Sequence, residues 1–172
     1  MGQAYRLQYG MDVISVMPTN LYGPRDNFDP VSSHVLPGLI RKMHDAKEKG
    51  AQEVTLWGTG KPRREFLHVD DLVDALIFLM LNYSEPEIVN VGSGKDVTIA
   101  ELASLVAKAT RFTGKLVYDT SYPDGTPLKM SDSTKLLSLG WRPKIQLEEG
   151  IGTAYQWFLG QQKSDLAEAG KA

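Results

Sequence analysis

An α/β fold is predicted for this chain of 172 residues, because short apolar runs alternate along it with segments of helical periodicity. The runs at residues 13–17 and 88–91 are rich in valine and isoleucine, as buried strands are. The segment at 98–109 instead carries apolar residues at helical spacing. Strands that alternate with helices indicate a sheet covered by helices, and the length allows one domain with a sizeable core.

The strands are predicted where apolar or β-branched residues are bounded by turn residues. They cover residues 13–17, 54–57, 64–69, 88–91 and 116–118. Two segments rich in proline, glycine, asparagine and aspartate, at 18–32 and 119–130, are predicted to be loops.

The helices are predicted from their starting residues as well as from their periodicity. Ser32 or Ser33 can cap one helix, and Asp70 or Asp71 can cap the next. The Thr-Ile-Ala-Glu sequence at 98–101 is a capping box, in which threonine and glutamate satisfy each other's backbone N–H groups. The predicted helices cover residues 3–9, 33–48, 71–81, 98–109, 133–139 and 147–159.

The composition excludes several classes of function. Nineteen basic and 21 acidic residues give a net charge of −2, so nucleic acid and anionic membranes are not expected as partners. The chain has no cysteine, which excludes disulfides and thiolate metal sites. The longest apolar run, residues 75–81, is too short to cross a bilayer, and the first residues lack the apolar core of a secretory signal. A soluble cytoplasmic protein is expected.

The most informative motif is Met-Pro-Thr-Asn-Leu-Tyr-Gly-Pro-Arg-Asp-Asn-Phe at residues 17–28. An apolar run precedes it, so its polar groups lie where a buried strand ends. In open α/β sheets, ligands bind at that end of the strands. His34 follows at the start of a predicted helix, whose dipole favours a neutral imidazole that can accept a proton.

Three further motifs accompany it: Trp-Gly-Thr-Gly at 57–60, Arg-Arg-Glu-Phe-Leu-His-Val-Asp-Asp at 63–71, and Pro-Asp-Gly-Thr-Pro-Leu-Lys at 123–129. With these motifs the chain resembles the extended short-chain dehydrogenases/reductases, and among them the GDP-L-fucose synthase family. The resemblance runs from about residue 5 to 158 and matches only the carboxyl-terminal half of that family. It implies the end of a Rossmann-like parallel sheet (residues 1–30), a small mixed α/β substrate-binding region (31–160) and a polar tail (161–172).

The resemblance implies an activity and its residues. Complete members convert GDP-4-keto-6-deoxy-D-mannose to GDP-L-fucose by 3,5-epimerisation and NADPH-dependent reduction at C4. The 4-ketone acidifies the neighbouring C–H groups, so a positioned acid/base such as His34 can exchange their protons. The implied catalytic residue is His34, the implied cofactor-binding residues are Pro18, Thr19, Asn20, Leu21 and His34, and the implied substrate-binding residues are Lys42, Trp57, Arg64, Asp124 and Lys129. Position 42 is usually arginine in the family; lysine keeps the charge but lacks the fork geometry.

Two expected features of the family are missing from the sequence. No glycine pair continues as the G-x-G-x-x-G turn that holds a dinucleotide, and none of the seven tyrosines is followed by lysine four residues later. The resemblance therefore predicts that the chain begins just after the catalytic helix, as a truncated gene product, an expressed fragment or a misassigned start. Alone it is expected not to oxidise NADPH, and to expose apolar surface where the missing amino-terminal half would pack, through which it could form a homo-oligomer or associate with another chain.

Each residue also has a structural interpretation. His34 could only cap or pack, residues 18–21 could be an ordinary strand exit, Trp57 could belong to the core, and the charged residues could be solvated. His68, Asp70 and Asp71 are poor metal ligands at that spacing and are better explained by helix capping; no metal is expected. Gly92-Ser-Gly94 is better explained as a turn than as a phosphate loop. For the whole chain, the alternatives are another nucleotide-sugar epimerase or dehydratase and a non-catalytic nucleotide-sugar-binding module.

Overall fold

The computed structural model describes residues 1–169, with side chains to residue 163. Its helices are α1 (Gly2–Tyr9), α2 (Val35–Glu48), α3 (Val69–Asn82), α4 (Ile99–Thr110), α5 (Thr134–Ser138) and α6 (Leu147–Ala169). Its strands are β1 (Val16–Pro18), β2 (Asn20–Tyr22), β3 (Glu53–Trp57), β4 (Arg63–His68), β5 (Val89–Val91), β6 (Asp96–Thr98), β7 (Lys115–Asp119) and β8 (Leu128–Lys129). Every predicted helix and strand has a counterpart, which confirms the α/β class.

The strands form three groups, most of them parallel. β1 pairs with β5, β3 pairs with β7, and β4 lies between β2 and β6 while also pairing with β8. All of these pairs are parallel except β4 with β6. The chain passes from the first group to the β4 group over one residue, Thr19, whose N–H donates to the Val91 carbonyl (2.9 Å). This switch of partner strand lies within the motif at 17–28.

Two apolar cores hold these groups in place. The larger lies among α2, α4, α6 and the strands β2, β3 and β4, and it includes Ile40, Met43, Val106 and Phe158. The smaller lies among α3, α5 and the β1–β5 pair, and it includes Leu67, Leu79, Val89, Val91 and Leu136. The predicted domain boundary near residue 30 stays a prediction.

The capping box at the start of α4 is confirmed, whereas the caps predicted for α2 and α3 were wrong. The Thr98 hydroxyl accepts the Glu101 N–H (3.0 Å), and the Glu101 carboxylate accepts the Thr98 N–H (2.7 Å). The residues before α2 and α3 are His34 and His68. The predicted caps are engaged elsewhere, because Asp71 is buried and accepts the N–H groups of Lys144 and Ile145. The Ser32 N–H and hydroxyl donate to Asp29.

Three short strands and the length of the last helix differ from the prediction. β2, β6 and β8 have two or three residues each, and their pairing depends on β4 rather than on their own composition. α6 continues to Ala169, although a polar tail was predicted from residue 161. Residues 161–169 contain no glycine or proline and several strong helix formers, which explains the longer helix. The last three residues of the predicted tail lie outside the described part.

Apolar surface is exposed on α3 and β1, as expected from the sequence. Ala75 and Leu79 of α3 are buried, but its other side exposes four apolar residues: Val73 (49%), Ile77 (55%), Met80 (75%) and Leu81 (78%). Met17 in β1 is also exposed. A helix that is apolar on opposite sides is normally covered on both. None of the helices in the described part is long and apolar enough to cross a membrane.

Candidate functional site

The β3–β7 pair presents a solvent-facing side on which a side-chain cluster is built. Val54 and Leu56 of β3 are buried in the larger core, so the alternate residues face outward. The last outward residue of β3 is Trp57, which is 67% exposed. It lies directly across from Asp119, the last residue of β7. The predicted substrate residue Trp57 is therefore a surface residue and not part of the core.

The loop after β7 is fastened to the turn after β3 through Asp124. Its two carboxylate oxygens accept hydrogen bonds from the N–H (2.8 Å) and the hydroxyl (2.6 Å) of Thr59. These hydrogen bonds lower the pKa of Asp124, and the bond from the hydroxyl has the larger effect. Gly58 has φ +79°, and a Cβ there would lie 2.3 Å from the carboxylate. Only glycine fits this close approach. Asp124 thus anchors the loop, and its predicted contact with substrate stays a prediction.

The same loop places a second aromatic ring against Trp57. The ring of Tyr122 stacks on the indole with centroids 4.7 Å apart and planes at 13°. Tyr122 is 45% exposed. Neither Tyr122 nor Asp119 was predicted from the sequence to be a site residue. The outward position of Asp119 could have been inferred from the alternation in β7, but the stack joins residues 65 positions apart along the chain and has no local signal.

Three of the predicted substrate residues carry positive charge, and two of them lie beside this loop. Arg64 in β4 donates through Nη1 to the carbonyls of Arg63 (2.7 Å) and Thr126 (2.6 Å), and it lies beside Lys129 of β8. Lys42 in α2 donates to the carbonyl of Thr55 in β3. No carboxylate of the described residues forms an ion pair with Arg64, Lys42 or Lys129. These cations are therefore available to an anion.

Two of the predicted cofactor residues bond to one backbone carbonyl. The Asn20 amide donates to the Glu65 carbonyl (2.7 Å), and the Thr19 hydroxyl approaches the same oxygen (3.4 Å). Pro18 lies beside Val91 of β5, and Leu21 packs on the smaller core. These contacts account for residues 18–21 as a strand exit, and their predicted contact with a cofactor stays a prediction.

Glu65 is a fully buried carboxylate that the sequence analysis did not identify. Its oxygens accept the N–H groups of Gly94 (2.8 Å) and Ser131 (2.9 Å), and the Ser93 hydroxyl lies at 3.4 Å. A Cβ on Gly92 would lie 2.4 Å from the same carboxylate. Gly92-Ser-Gly94 is thus a turn closed on Glu65, as the sequence favoured, and the Gly94 N–H is not available to a phosphate.

His34 precedes the first turn of α2 instead of lying within it. The exposed residue has extended backbone angles (φ −70°, ψ 167°), and its carbonyl accepts the Gly38 N–H (2.9 Å). No hydrogen bond or ring contact in the described part connects its imidazole to the other predicted site residues. Its predicted catalytic and cofactor roles stay predictions.

No group of three or more histidine, cysteine, aspartate or glutamate side chains is placed to hold a metal among the described residues. The buried His68 accepts the Asp70 N–H through Nδ1 (3.2 Å), and its Nε2 has no hydrogen-bond partner in the described part. Together with the buried Asp71 contacts, this supports a structural role for these residues.

Comparison with known proteins places this arrangement in a family. The model of the NAD dependent epimerase/dehydratase family matches residues 1–92, which is more than half of the chain. The chain belongs to this family. Within the epimerase/dehydratase family, it is 62% identical over 159 residues to "Probable GDP-L-fucose synthase 1" of Oryza sativa subsp. japonica, covering 92% of this chain and 48% of the relative. It is 50% identical over 169 residues to the GDP-L-fucose synthase of Escherichia coli K12, covering 93% and 53%.

Solved structures give the same relationship. A GDP-L-fucose synthetase from Naegleria fowleri, bound to NADP, matches with a TM-score of 0.86 at 35% identity. The match covers 94% of this chain and 53% of that protein. This epimerase/dehydratase chain therefore spans about half the length of the relatives it matches.

The residues present do not make a complete dinucleotide site. Such sites hold the phosphates with free N–H groups of a glycine-rich turn at a helix start. The glycine-rich turn at 92–94 of this epimerase/dehydratase chain donates instead to Glu65, and Thr19 and Asn20 are bonded to its carbonyl. The turn at 92–94 is therefore not a phosphate-binding turn, and the cofactor-binding role of residues 18–21 stays a prediction.

Proposed function

We propose that this chain carries the nucleotide-sugar-binding part of a GDP-L-fucose synthase. In the complete enzyme, NADPH would reduce the 4-keto sugar after 3,5-epimerisation, with His34 moving protons and residues 18–21 beside the cofactor. The chain alone would bind the GDP-sugar without reducing it. The close similarity to GDP-L-fucose synthases supports the substrate class.

One observation carries the proposal: unpaired cations lie next to an exposed aromatic surface. Arg64 and Lys129 are neighbours across β4 and β8, and the Arg64 guanidinium reaches the loop that holds Tyr122 against Trp57. A guanidinium binds pyrophosphate oxygens through charge-assisted hydrogen bonds, and an indole gives a flat apolar surface for a base or sugar. A nucleoside diphosphate sugar combines these two chemistries.

We expect the 172-residue chain to bind GDP-L-fucose in calorimetric titration, more tightly than UDP- or dTDP-sugars. We also expect no oxidation of NADPH when the 4-keto sugar is added. Absence of GDP-sugar binding would overturn the proposal. A preference for UDP- or dTDP-sugars would favour another epimerase or dehydratase, and NADPH consumption would contradict the inactivity of the chain alone.

Neighbouring arginines give a matched control for this titration. Arg64→Gln should weaken GDP-L-fucose binding about tenfold, the size expected for hydrogen bonds to a charged group. Arg63→Gln should leave the affinity unchanged, because Arg63 is paired with Asp96. Arg64→Lys keeps the charge but loses the fork, so an intermediate affinity would show that the fork geometry contributes.

We further propose that the exposed apolar residues of α3 and β1 bind the amino-terminal half that the relatives possess. Mixing the chain with the amino-terminal half of the rice relative should give a 1:1 complex in sedimentation, and NADPH oxidation should return. Ile77→Glu, in the exposed face of α3, should prevent both. A complex without activity would favour a non-catalytic module, and failure to associate would contradict the proposed surface.

A further inference from the structure

The outward face of β3 and β7 carries a carboxylate that the proposed function does not use. Asp119 is the last residue of β7 and lies across from Trp57. Its Oδ1 accepts both the N–H (3.0 Å) and the hydroxyl (2.6 Å) of Ser121. Its Oδ2 accepts no hydrogen bond and forms no ion pair with any residue in the described part. One oxygen thus fixes the loop, and the other is open to a ligand.

The loop that Asp119 fixes also carries the stacked ring. Ser121 is held by Asp119, and Asp124 is held by Thr59, so Tyr122 is fastened on both sides. The Trp57–Tyr122 stack is consequently an ordered, solvent-facing pair of rings. Stacking of a nucleobase on such rings contributes substantially to affinity and tolerates any base. Selection among bases needs a polar group at the edge of the rings.

Resting on the proposed function, we propose that Asp119 and Tyr122 form the base subsite of the GDP-sugar. The guanine ring stacks on the Trp57–Tyr122 pair, and its N1–H and 2-amino donors face Oδ2 of Asp119. An ionised carboxylate only accepts hydrogen bonds, so it favours an edge that carries two donors. Adenine presents an acceptor at N1, and uracil and thymine place carbonyl oxygens beside their single N–H.

The hydrogen bonds from the Ser121 hydroxyl and N–H lower the pKa of Asp119, which keeps the carboxylate ionised near neutral pH. This supports its action as an acceptor. Asp119, at the end of β7, thus differs from Asp124 of the following loop: Asp124 uses both oxygens to anchor the loop, whereas Asp119 keeps one oxygen free.

The test is calorimetric titration of the chain with GDP and with ADP. The wild-type chain should prefer GDP about tenfold, the equivalent of one charge-assisted hydrogen bond. Asp119→Asn keeps an oxygen for Ser121 but turns an amide donor toward the base, so the GDP:ADP preference should disappear. If Asp119 has only a structural role, Asp119→Asn should lower the affinities for GDP and ADP equally, and this result would overturn the assignment. Asp29→Asn is the matched control, because Asp29 also accepts the N–H and hydroxyl of a serine, Ser32.

The second variant tests the stack. Tyr122→Ala should weaken GDP and ADP alike by about tenfold, within the range for loss of one base–aromatic stack, and leave pyrophosphate binding unchanged. Tyr5→Ala, which removes an exposed tyrosine from α1, should leave nucleotide affinity unchanged. Unchanged or tighter GDP binding by Tyr122→Ala would show that Tyr122 only covers Trp57. If wild-type chain binds GDP but both variants behave as wild type, this subsite is wrong while the proposed function stands. If the wild-type chain binds no nucleotide, the subsite and the proposed function are both wrong.

Discussion

Replacing Glu65 by glutamine should lower the free energy of unfolding by about 3 kcal/mol, as expected when a buried hydrogen-bond network loses an acceptor. The side chain keeps its volume, but its amide turns a donor toward one of the N–H groups of Gly94 and Ser131. Glu65 itself is fully buried, so water cannot reach the side-chain atoms that the substitution changes. Urea-induced unfolding measures the effect. A loss under about 1 kcal/mol would show that the network relaxes without a carboxylate.

The control for this prediction is Glu53→Gln. Glu53 is an exposed residue at the start of β3, and its substitution should change the unfolding free energy by about 0.5 kcal/mol or less. The Glu65 variant should also bind GDP-sugar more weakly, because Ser131 follows β8 and its bond to Glu65 helps to hold Lys129 beside Arg64. Intact GDP affinity in a destabilised Glu65 variant would separate the fold from the site.

The contrast between Glu65 and the α4 capping box shows what a sequence can predict. Thr98 and Glu101 are three residues apart, so their hydrogen bonds follow from local geometry. The partners of Glu65 lie 29 and 66 residues away, and nothing in Arg-Arg-Glu-Phe-Leu marks its glutamate as buried. The same reason explains the missed strands β2, β6 and β8, whose pairing is set by β4.

The same distinction between local signals and distant contacts applies to the candidate site. The motifs identified Trp57, Arg64 and Lys129 through a resemblance, and the structure places them around one loop. Tyr122 is positioned by the anchoring of that loop through Asp124 and Thr59, a contact between distant segments. His34 is the opposite case. Its motif is present in the sequence, but its side chain makes no contact with the cluster in the described part of the chain.

Gly150→Ala should destabilise the protein by about 2 kcal/mol, although alanine is the better helix former. A Cβ at Gly150 would lie 2.2 Å from the Tyr22 hydroxyl oxygen and 2.9 Å from two ring carbons. Tyr22 is buried with its ring edge-on to His68 and to Phe66, so it cannot move away without disturbing β4. Urea-induced unfolding should show the loss, and an unchanged midpoint would mean that α6 shifts freely.

Gly152→Ala, two residues along α6, is the matched control, since a Cβ there meets nothing within 4 Å. It should stabilise the protein by up to about 1 kcal/mol through helix propensity alone. In a Tyr22→Phe background, the loss caused by Gly150→Ala should shrink by about 1 kcal/mol, because the hydroxyl contact is gone while the ring contacts remain. Equal losses in both backgrounds would place the strain elsewhere. A positive coupling would show that the tyrosine of the motif at 17–28 packs α6 against β2, which pairs with the strand that carries Arg64.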